Sequence, residues 1–393
     1  MKWERKTINE VCNVGDGAHA SIKRTTEGFQ YLTSKNFKLD GLDLNKVDFI
    51  SEVDYFKHFR DDSKAITKPK SNDVLLSIIG SLGAPYLVKE EDVFGLSSSV
   101  SILRPKNEII EPRFLFYWIK SNEFQSSINN IKSGVAQSFL SLGMIKSLPV
   151  IYPKELPTQR KIASILSAYD DLIENNLKRI KLLEEAINLN FKDLISKEDK
   201  NFTYIKLNSF VDIISGFPFK SNYYNENGKH KIVTIKNVQD GFFVPIVTDR
   251  IDDVPDNMNK ALFLTTGDVI MSLTGNVGRV CLVYGDDYVL NQRVVKLSAK
   301  EQIDQPFIYA LVRDKQMLKI LENLSNGAAQ QNLSPIKMGE LPIRYPNKSL
   351  REDFNQKVSP MLEMICKLNI QNTKLREARD ILLPKLMNGQ IEV

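Results

Sequence analysis

The sequence predicts an α/β (α+β) fold in which two globular domains form a pseudo-two-fold repeat and are separated by two long helices that pair as an antiparallel coiled coil. Three observations lead to this prediction: short apolar runs broken by Gly and Asp, a duplication of about half the chain, and two matched ladders of apolar residues at heptad spacing. With 393 residues, of which 42% are hydrophobic, the chain is long enough to bury more than one core. The predicted order is a globular domain, a helical spacer, a second globular domain and a second helical spacer, at residues 1–153, 154–200, 201–346 and 347–393.

The short apolar runs predict the elements of the globular domains. Buried strands are predicted at 74–79, 269–273 and 280–283, because these runs are brief, apolar and bounded by Gly or Asp. Helices are predicted at 114–120 and 307–312, where apolar residues follow helical spacing. Both globular domains are therefore expected to be mixed α/β.

The duplication has an offset of 192 to 195 residues. Residues 73–83 match 268–278 at one Asp, one Val, one Ser and two Gly positions, and each segment is predicted to be a buried strand that ends in a Gly turn. Residues 134–153 match 327–346 at nine of twenty positions, and both run from Gly-x-Ala-Gln to Leu-Pro-x-x-Tyr-Pro. The chain is therefore expected to contain two modules of similar structure.

The apolar ladders predict the long helices, because spacings of three and four alternate as at the a and d positions of a coiled coil. The predicted coiled-coil seam comprises Tyr169, Ile173, Asn176, Ile180, Leu183, Ile187, Met361, Ile365, Leu368, Asn372, Leu375 and Leu382. Its two Asn residues are polar interruptions that fix the pairing register at some cost in stability. Packing, rather than ligand binding, is the expected role of the ladder.

Helix ends are predicted from capping residues. Ser167 and Ser359 are predicted N-caps, the second followed by Pro360, and Pro384 is predicted to end or kink the second helix. Each helix would then have about 25 residues and be about 40 Å long at about 1.5 Å per residue. That length is close to the ~34 Å turn of B-DNA, so two modules at this spacing would address one face of a duplex at a split site.

Composition limits the class of protein without identifying its partner. The formal charge of +5 is compatible with a basic face but does not establish nucleic-acid binding. The N-terminus lacks the apolar stretch of a signal peptide, and no segment approaches the ~18 apolar residues of a membrane span, so a cytoplasmic protein with no membrane partner is expected. No metal site is predicted, because the few cysteines and histidines are scattered and form no ligand pair: Cys12, Cys281, Cys366, His19, His58 and His230.

Four groups of segments together resemble the specificity (S) subunit of Type I restriction-modification systems. They are the two Gly-x-Ala-Gln to Leu-Pro-x-x-Tyr-Pro stretches; Leu-Pro-Thr-Gln-Arg-Lys-Ile with Ile-Leu in 156–166; Asp-Asp-Leu-Ile-Glu-Asn-Asn with Leu-Glu-Glu-Ala in 170–186; and Leu-Leu-Pro-Lys-Leu-Met-Asn-Gly at 382–389. The resemblance spans essentially the whole chain, and the joint order of the motifs is specific. One departure is at 350–354, where the second helical segment opens Leu-Arg-Glu-Asp-Phe and lacks a counterpart of Gln159.

The resemblance implies a DNA-binding subunit without catalytic activity. Each globular domain would be a target-recognition domain for one half of a bipartite site on double-stranded DNA, and the helices would space these domains and dock methyltransferase subunits, two of them expected. Restriction (motor) subunits would join through the complex. The resemblance further implies that this chain binds no cofactor and that S-adenosylmethionine, ATP and Mg2+ are used on the partner subunits.

Missing motifs agree with this division of labour. The sequence has no Asn/Asp-Pro-Pro-Tyr/Phe run of an amino-methyltransferase and no Gly-x-x-x-x-Gly-Lys-Ser/Thr phosphate loop. Gly15-Asp-Gly17 lacks the rest of a dinucleotide fingerprint and is interpreted as a turn. Two alternatives remain: a methyltransferase or nuclease fusion, which the missing motifs disfavour, and a non-DNA two-module coiled-coil interaction scaffold.

The candidate DNA contacts are mostly polar side chains in loops, because Arg, Lys, Asn and Gln bond to base edges and phosphates. In the first domain they are His19, Ser21, Lys23, Arg24, Lys132 and Gln137. In the second domain they are Phe219, Lys220, Ser221, Asn276, Arg279, Asn291, Gln292, Arg293, Gln330 and Gln331. The alternative for the Lys and Arg residues is solvated surface. Gln137 and Gln330 match between the halves, which favours a role in the shared fold.

Overall fold

A computed structural model describes residues 2–38, 41–133, 139–325 and 332–393, with the backbone alone described at 132 and 133. The chain divides into two compact units: unit 1 is Met1–Asp171 with Leu375–Val393, and unit 2 is Leu172–Lys374. Both divisions of the chain fall inside the long helices, so each unit contains one globular segment and parts of both helices.

Unit 1 contains a four-stranded antiparallel sheet of order β2-β10-β7-β8, a three-stranded sheet of order β6-β3-β9, and the two-stranded pairs β1-β11 and β4-β5. Its strands are β1 (Trp3–Thr7), β2 (Cys12–Asp16), β3 (Phe29–Leu32), β4 (Phe37–Lys38), β5 (Gly41–Leu42), β6 (Asp48–Ile50), β7 (Val74–Ser77), β8 (Pro85–Leu87), β9 (Phe94–Leu96), β10 (Val100–Pro105) and β11 (Pro149–Pro153). The helices that begin in it are α1 (Ile8–Val11), α2 (Glu52–His58), α3 (Pro112–Lys120), α4 (Asn122–Ser133), α5 (Leu142–Ser147) and α6 (Leu156–Ile195).

Unit 2 repeats this arrangement with sheets of order β13-β20-β17-β18 and β15-β14-β19-β16 and with the pair β12-β21. Its strands are β12 (Phe202–Lys206), β13 (Val211–Ser215), β14 (His230–Val233), β15 (Arg250–Ile251), β16 (Phe263–Leu264), β17 (Val269–Ser272), β18 (Val280–Leu282), β19 (Tyr288–Leu290), β20 (Val294–Ala299) and β21 (Pro342–Pro346). The helices that begin in it are α7 (Gln305–Arg313), α8 (Lys315–Ser325), α9 (Pro335–Gly339) and α10 (Lys348–Met387).

The duplication seen in the sequence is thus confirmed as a structural repeat. Strand β7 corresponds to β17, β10 to β20 and helix α3 to α7. The sheet β6-β3-β9 of unit 1 and the sheet β15-β14-β19-β16 of unit 2 each contain one parallel pair, β3 with β9 and β14 with β19. The predicted strands at 74–79, 269–273 and 280–283 and the predicted helices at 114–120 and 307–312 are confirmed, with ends shifted by one to two residues.

The central strands are continuously apolar because each is buried on both faces. In β17, Val269 and Met271 lie in one hydrophobic cluster, whereas Ile270 between them lies in another. In β7, Leu75 is separated in the same way from Leu76. Successive side chains of a strand point to opposite faces, so each of these strands separates two cores. The apolar runs of the sequence therefore have no alternating polar positions.

The predicted helix ends are wrong. Helices α6 and α10 have 40 residues each, or about 60 Å at about 1.5 Å per residue, and Ser167 and Ser359 lie inside them instead of capping them. Pro157 occupies the first turn of α6, where its missing N–H costs nothing, and burial of Ile162 and Leu166 continues the helix past that turn. The hydroxyl of Ser167 donates to a carbonyl within the helix, 3.3 Å away.

Pro384 does not end α10, which continues to Met387. A proline inside a helix costs roughly 3 kcal/mol, because a backbone hydrogen bond is lost and its ring clashes with a carbonyl. Leu383, Leu386 and Met387 are buried in the core of unit 1, and the free energy gained by burying them outweighs this cost. At about 60 Å, each helix is longer than the ~34 Å turn of B-DNA, so the helix length does not support the expected spacing. The interpretation of Gly15-Asp-Gly17 as a turn is also wrong for its first two residues, since Gly15 and Asp16 belong to strand β2.

The two long helices pair in antiparallel fashion. Within unit 2, Asn176 contacts Asn372 and Phe191 packs on Phe354, with ring centroids 6.4 Å apart, so residue numbers rise along α6 as they fall along α10. All twelve residues of the predicted seam are buried or half-buried. In the part of the chain that the structure describes, these helices are too polar, and the others too short or too polar, to cross a membrane.

Candidate nucleic-acid interface

Three loops of unit 2 are joined by backbone hydrogen bonds into one edge, which we call edge 2 and define as residues 216–221, 273–279 and 291–293. The amide of Gln292 donates to the carbonyl of Phe217 at 3.1 Å, and the amide of Leu273 donates to the carbonyl of Arg293 at 3.0 Å. The amide of Leu333 donates to the carbonyl of Leu273 at 2.9 Å, which attaches the start of the described segment 332–393 to the same edge.

Unit 1 has the matching edge 1, defined as residues 17–24, 78–83 and 97–99. The amide of Ser98 donates to the carbonyl of Ala18 at 3.2 Å, and the amide of Ile78 donates to the carbonyl of Ser99 at 3.0 Å. The amide of Leu140 donates to the carbonyl of Ile78 at 2.9 Å. Each of these bonds has a counterpart in edge 2, so the two units present loops on the same backbone scaffold.

Glycine is required where the loops of each edge approach one another. A Cβ atom on Gly216 would lie 2.1 Å from the Asn291 carbonyl oxygen, and one on Gly17 would lie 2.3 Å from the carbonyl oxygens of Leu96 and Ser97. No side chain fits at these distances, and the backbone atoms that would be struck have little freedom to move. The glycines therefore hold the first loop of each edge against the third.

The structure brings most of the predicted second-domain residues together. Phe219, Lys220, Ser221, Asn276, Arg279, Asn291, Gln292 and Arg293 all lie on the three loops of edge 2. The first-domain candidates His19, Ser21, Lys23 and Arg24 lie on a single loop of edge 1. Gln137, Gln330 and Gln331 lie outside the described residues, as does the side chain of Lys132.

Several of these side chains are already engaged within their own unit. Arg24 donates to Asp48 at 3.1 Å and to the Ile22 carbonyl at 2.7 Å, and its guanidinium lies 4.0 Å from the ring centre of Tyr31. Arg279 donates to Gln239 at 2.6 Å. Holding an arginine in this way fixes its orientation but uses part of its donor set.

Three other candidates also form contacts within their own unit. His19 is bonded to Asp16 at 2.8 Å, and its side chain is 74% exposed. Phe219 is half-buried and packs against Phe217, with ring centroids 5.2 Å apart, which is a packing role. The amide of Asn276 lies against the Arg279 guanidinium: with the amide oxygen turned toward it, the oxygen is 3.1 and 3.3 Å from the two terminal nitrogens.

Another set of candidates is free to bind a ligand. These side chains are exposed and form no hydrogen bond or ion pair with the described part of the chain: Ser21, Lys23, Lys220, Ser221, Gln292 and Arg293. They supply ammonium, amide, hydroxyl and guanidinium groups, which are the groups that bond to phosphates and to base edges.

Three serines of edge 1 were not among the predicted contacts. Ser97, Ser98 and Ser99 take the place of Asn291, Gln292 and Arg293, and applying the repeat offset of 194 to the second domain would have found them.

A second missed feature is a Thr-x-x-Asn loop that each unit contains. Asn36 accepts from the Thr33 amide at 3.0 Å, and Asn237 accepts from the Thr234 amide at 2.9 Å. Each of these buried Asn side chains also donates to two carbonyls farther along its loop. In unit 1 this loop supports the edge, because the amide of Ser34 donates to the Ser99 hydroxyl at 2.9 Å.

The difference between the two halves at Gln159 is explained by the contacts that each residue forms within its own unit. Gln159 is fully buried, accepts from the Glu111 amide at 2.8 Å and donates to the Pro153 carbonyl at 2.8 Å. Its counterpart is Arg351, which donates to the buried carboxylate of Asp304 at 2.7 Å. Both residues fasten a long helix to the segment before it, so neither is an exposed partner contact.

The cysteines are confirmed as free, buried core residues. Burial raises the pKa of the Cys12 thiol to about 12 and that of Cys366 to about 11, and it raises the pKa of Cys281 as well. The thiolate form that a nucleophile or metal ligand requires is therefore strongly disfavoured. Within the described ranges, no three His, Cys, Asp or Glu side chains are grouped so as to hold a metal ion.

A family model, Type I restriction modification DNA specificity domain, matches residues 1–185 and 199–377, once for each half of the chain. The chain belongs to this family. The specificity-domain family thus accounts for the repeat, and the second match includes most of helix α10.

Curated proteins similar to this specificity-domain chain are specificity subunits. The Type I restriction enzyme MjaVIII specificity subunit of Methanocaldococcus jannaschii is 27% identical over 347 residues, covering 82% of this chain and 80% of that protein. The Type I restriction enzyme HindI specificity subunit of Haemophilus influenzae is 22% identical over 401 residues, covering 82% and 87%. A crystal structure of the S subunit of a Type I restriction-modification system from M. genitalium shares the fold, with a TM-score of 0.61, 16% identity and coverage of 98% and 96%.

Proposed function

We propose that this chain is the sequence-specific DNA-binding subunit of a Type I restriction-modification complex, in which each unit recognises one half of a bipartite site through its own edge. The observation that carries the proposal is the repetition of one three-loop edge, with matching backbone hydrogen bonds, in a chain whose two halves both match the specificity-domain model. Two copies of one scaffold with different exposed side chains suit the recognition of two different half-sites.

The exposed groups of the edges support DNA as the ligand. Lys23 on edge 1 and Lys220 on edge 2 form no ion pair with the described residues and suit phosphates, while Gln292 and Arg293 offer the donors and acceptors that distinguish bases in the major groove. A fixed loop scaffold with free polar tips suits sequence-specific binding, because the backbone is ordered before DNA arrives.

We further propose that helices α6 and α10 space the two units and dock methyltransferase subunits, one for each pseudo-symmetric half. Leu182 and Leu189 on α6 are 63% and 65% exposed, which supports a surface that a partner covers. Methylation and cleavage would take place on the partner subunits, which would use S-adenosylmethionine, ATP and Mg2+, and this chain would contribute no catalytic group.

The proposal is tested by selection of sequences from a randomised duplex DNA library, using the purified complex of this chain with its methyltransferase subunits. The expected result is enrichment of two short sequence blocks separated by a gap of fixed length. An intact complex that enriches no sequence would favour the interaction scaffold and would contradict the proposal. The salt dependence of binding, measured in parallel, gives the number of phosphate contacts.

A further inference from the structure

The third loop of each edge has one backbone conformation and two different sets of side chains. In edge 2 the amide of Asn291 donates to Val233 and the amide of Val294 donates to Asn291, at 3.0 Å each. In edge 1 the amide of Ser97 donates to Leu32 at 3.0 Å and that of Val100 donates to Ser97 at 3.1 Å. With the bonds to the first and second loops, the whole hydrogen-bond pattern of this turn is shared.

Two of the three serine side chains of edge 1 at this turn bond to each other and to the scaffold. The hydroxyls of Ser97 and Ser99 are 2.5 Å apart, and Ser99 also accepts from the Ser34 amide. These two serines are therefore consumed in holding the loops together and leave little capacity for a ligand.

The side chains of edge 2 at the same turn face solvent. Gln292 and Arg293 are exposed, and neither side chain forms a hydrogen bond or ion pair with any residue the structure describes. The other arginine of edge 2, Arg279, is half-buried and donates to Gln239, and Arg24 of edge 1 is bonded to Asp48. Among the candidate arginines, Arg293 is thus the one whose complete guanidinium fork is available.

Resting on the proposed function, we infer that Arg293 recognises a guanine within the half-site bound by unit 2, and that unit 1 has no equivalent contact. An arginine fork donates two parallel hydrogen bonds to the O6 and N7 atoms of guanine, and no other base offers this pair of acceptors in the major groove. The Arg293 backbone is anchored on both sides, before it by the Gln292 amide, which donates to Phe217, and after it by its own carbonyl, which accepts from Leu273. Binding therefore needs to order only the side chain.

The inference is tested by the same library selection with complexes carrying Arg293→Ala, Arg293→Lys or Lys220→Ala. Arg293→Ala is expected to lower the preference for guanine at one position by about 5- to 150-fold while the half-site of unit 1 stays unchanged. Arg293→Lys keeps the charge but loses the fork, so it should relax the same position with little loss of total binding. Lys220→Ala should weaken binding equally on all sequences.

The half-site of unit 1 is an internal control, because its retention in the selected sequences shows that the variant complex has folded and binds. A wild-type bipartite motif that Arg293→Ala leaves unchanged would overturn the inference and leave the proposed function standing. A uniform loss of affinity without relaxation at any position would overturn it too, since that result marks a phosphate contact. A wild-type complex that enriches no motif would overturn the proposed function and this inference together.

Discussion

The buried amide pair in the seam offers a quantitative test of how the long helices hold their register. Asn176 and Asn372 are 3% and 1% exposed, and the amide of Asn176 donates to the Asn372 oxygen at 2.9 Å and to the Gln371 oxygen at 3.2 Å. The amide nitrogen of Asn372 has no partner among the described residues. The two polar interruptions of the ladder therefore bond to each other, but the hydrogen-bonding capacity of Asn372 is only partly satisfied.

Changing one member should cost more than changing both. Asn176→Leu leaves the Asn372 side chain buried with neither its oxygen nor its nitrogen satisfied, so the free energy of unfolding should fall by about 1–3 kcal/mol. Asn372→Leu should also lower the free energy of unfolding, but by less, because the Asn176 amide keeps its bond to the Gln371 oxygen at 3.2 Å. The double variant buries two apolar side chains of similar volume and leaves no unpaired amide, so its stability should return to about the wild-type value or exceed it.

The assay is urea unfolding of the wild type, the two single variants and the double variant, combined as a double-mutant cycle. The expected coupling free energy is at least about 1 kcal/mol, with the double variant more stable than the sum of the single changes predicts. Single effects that simply add, within about 0.5 kcal/mol, would refute the reasoning, because independent sites behave in that way.

Three further predictions concern unit stability and the edges. Burial raises the pKa of Glu184, although a hydrogen bond from Tyr309 opposes the shift. The stability that the protonated carboxyl contributes is complete below its ordinary pKa of 4.5 and is lost as the pH rises through the raised value. Glu184→Gln should therefore flatten the dependence of the unfolding free energy on pH above pH 4.5. Gly216→Ala should abolish recognition of one half-site and spare the other in DNA selection, because its Cβ meets the Asn291 carbonyl at 2.1 Å, whereas Gly143→Ala, with its nearest neighbour at 3.8 Å, should change neither. Gln159→Ala removes hydrogen bonds to Glu111, Ile109 and Pro153 and should destabilise unit 1 by about 3 kcal/mol in thermal unfolding; a loss below 1 kcal/mol would contradict this.

The repeat and its strands could be predicted because they depend on local signals. The Asp-Val and Gly-x-x-Gly pattern at 73–83 and 268–278 specifies a buried strand and a turn whatever surrounds it, and the structure has β7 and β17 there, each followed by two glycines with positive φ. The heptad ladder likewise predicted that α6 and α10 pair, and the repeat of two modules predicted that they pair antiparallel.

The helix ends depended on tertiary packing and could not be predicted. Ser167 is a favourable N-cap residue, but Ile162 and Leu166 before it are buried in the core of unit 1 and keep the chain helical. The pairing of Asn176 with Asn372 was also invisible, because the ladder shows which positions face inward and not which of them meet.

The sequence could predict which loops form the candidate sites, but not which of their side chains are available to a ligand. The pattern of Gly and polar residues pointed to the turns that form edge 2, yet Arg24 and Arg279 looked as available as Arg293 in the sequence. Their partners, Asp48 and Gln239, are 24 and 40 residues away along the chain, so only the fold shows which arginines are engaged.

The most direct test of the central claim is sequencing of methylated adenines in cells that carry this chain with its methyltransferase, compared with cells that lack only this chain. The account predicts a methylated bipartite motif, with two fixed half-sites and a fixed gap, that appears only when the chain is present. Methylation that is the same with and without the chain, from an intact complex, would contradict it.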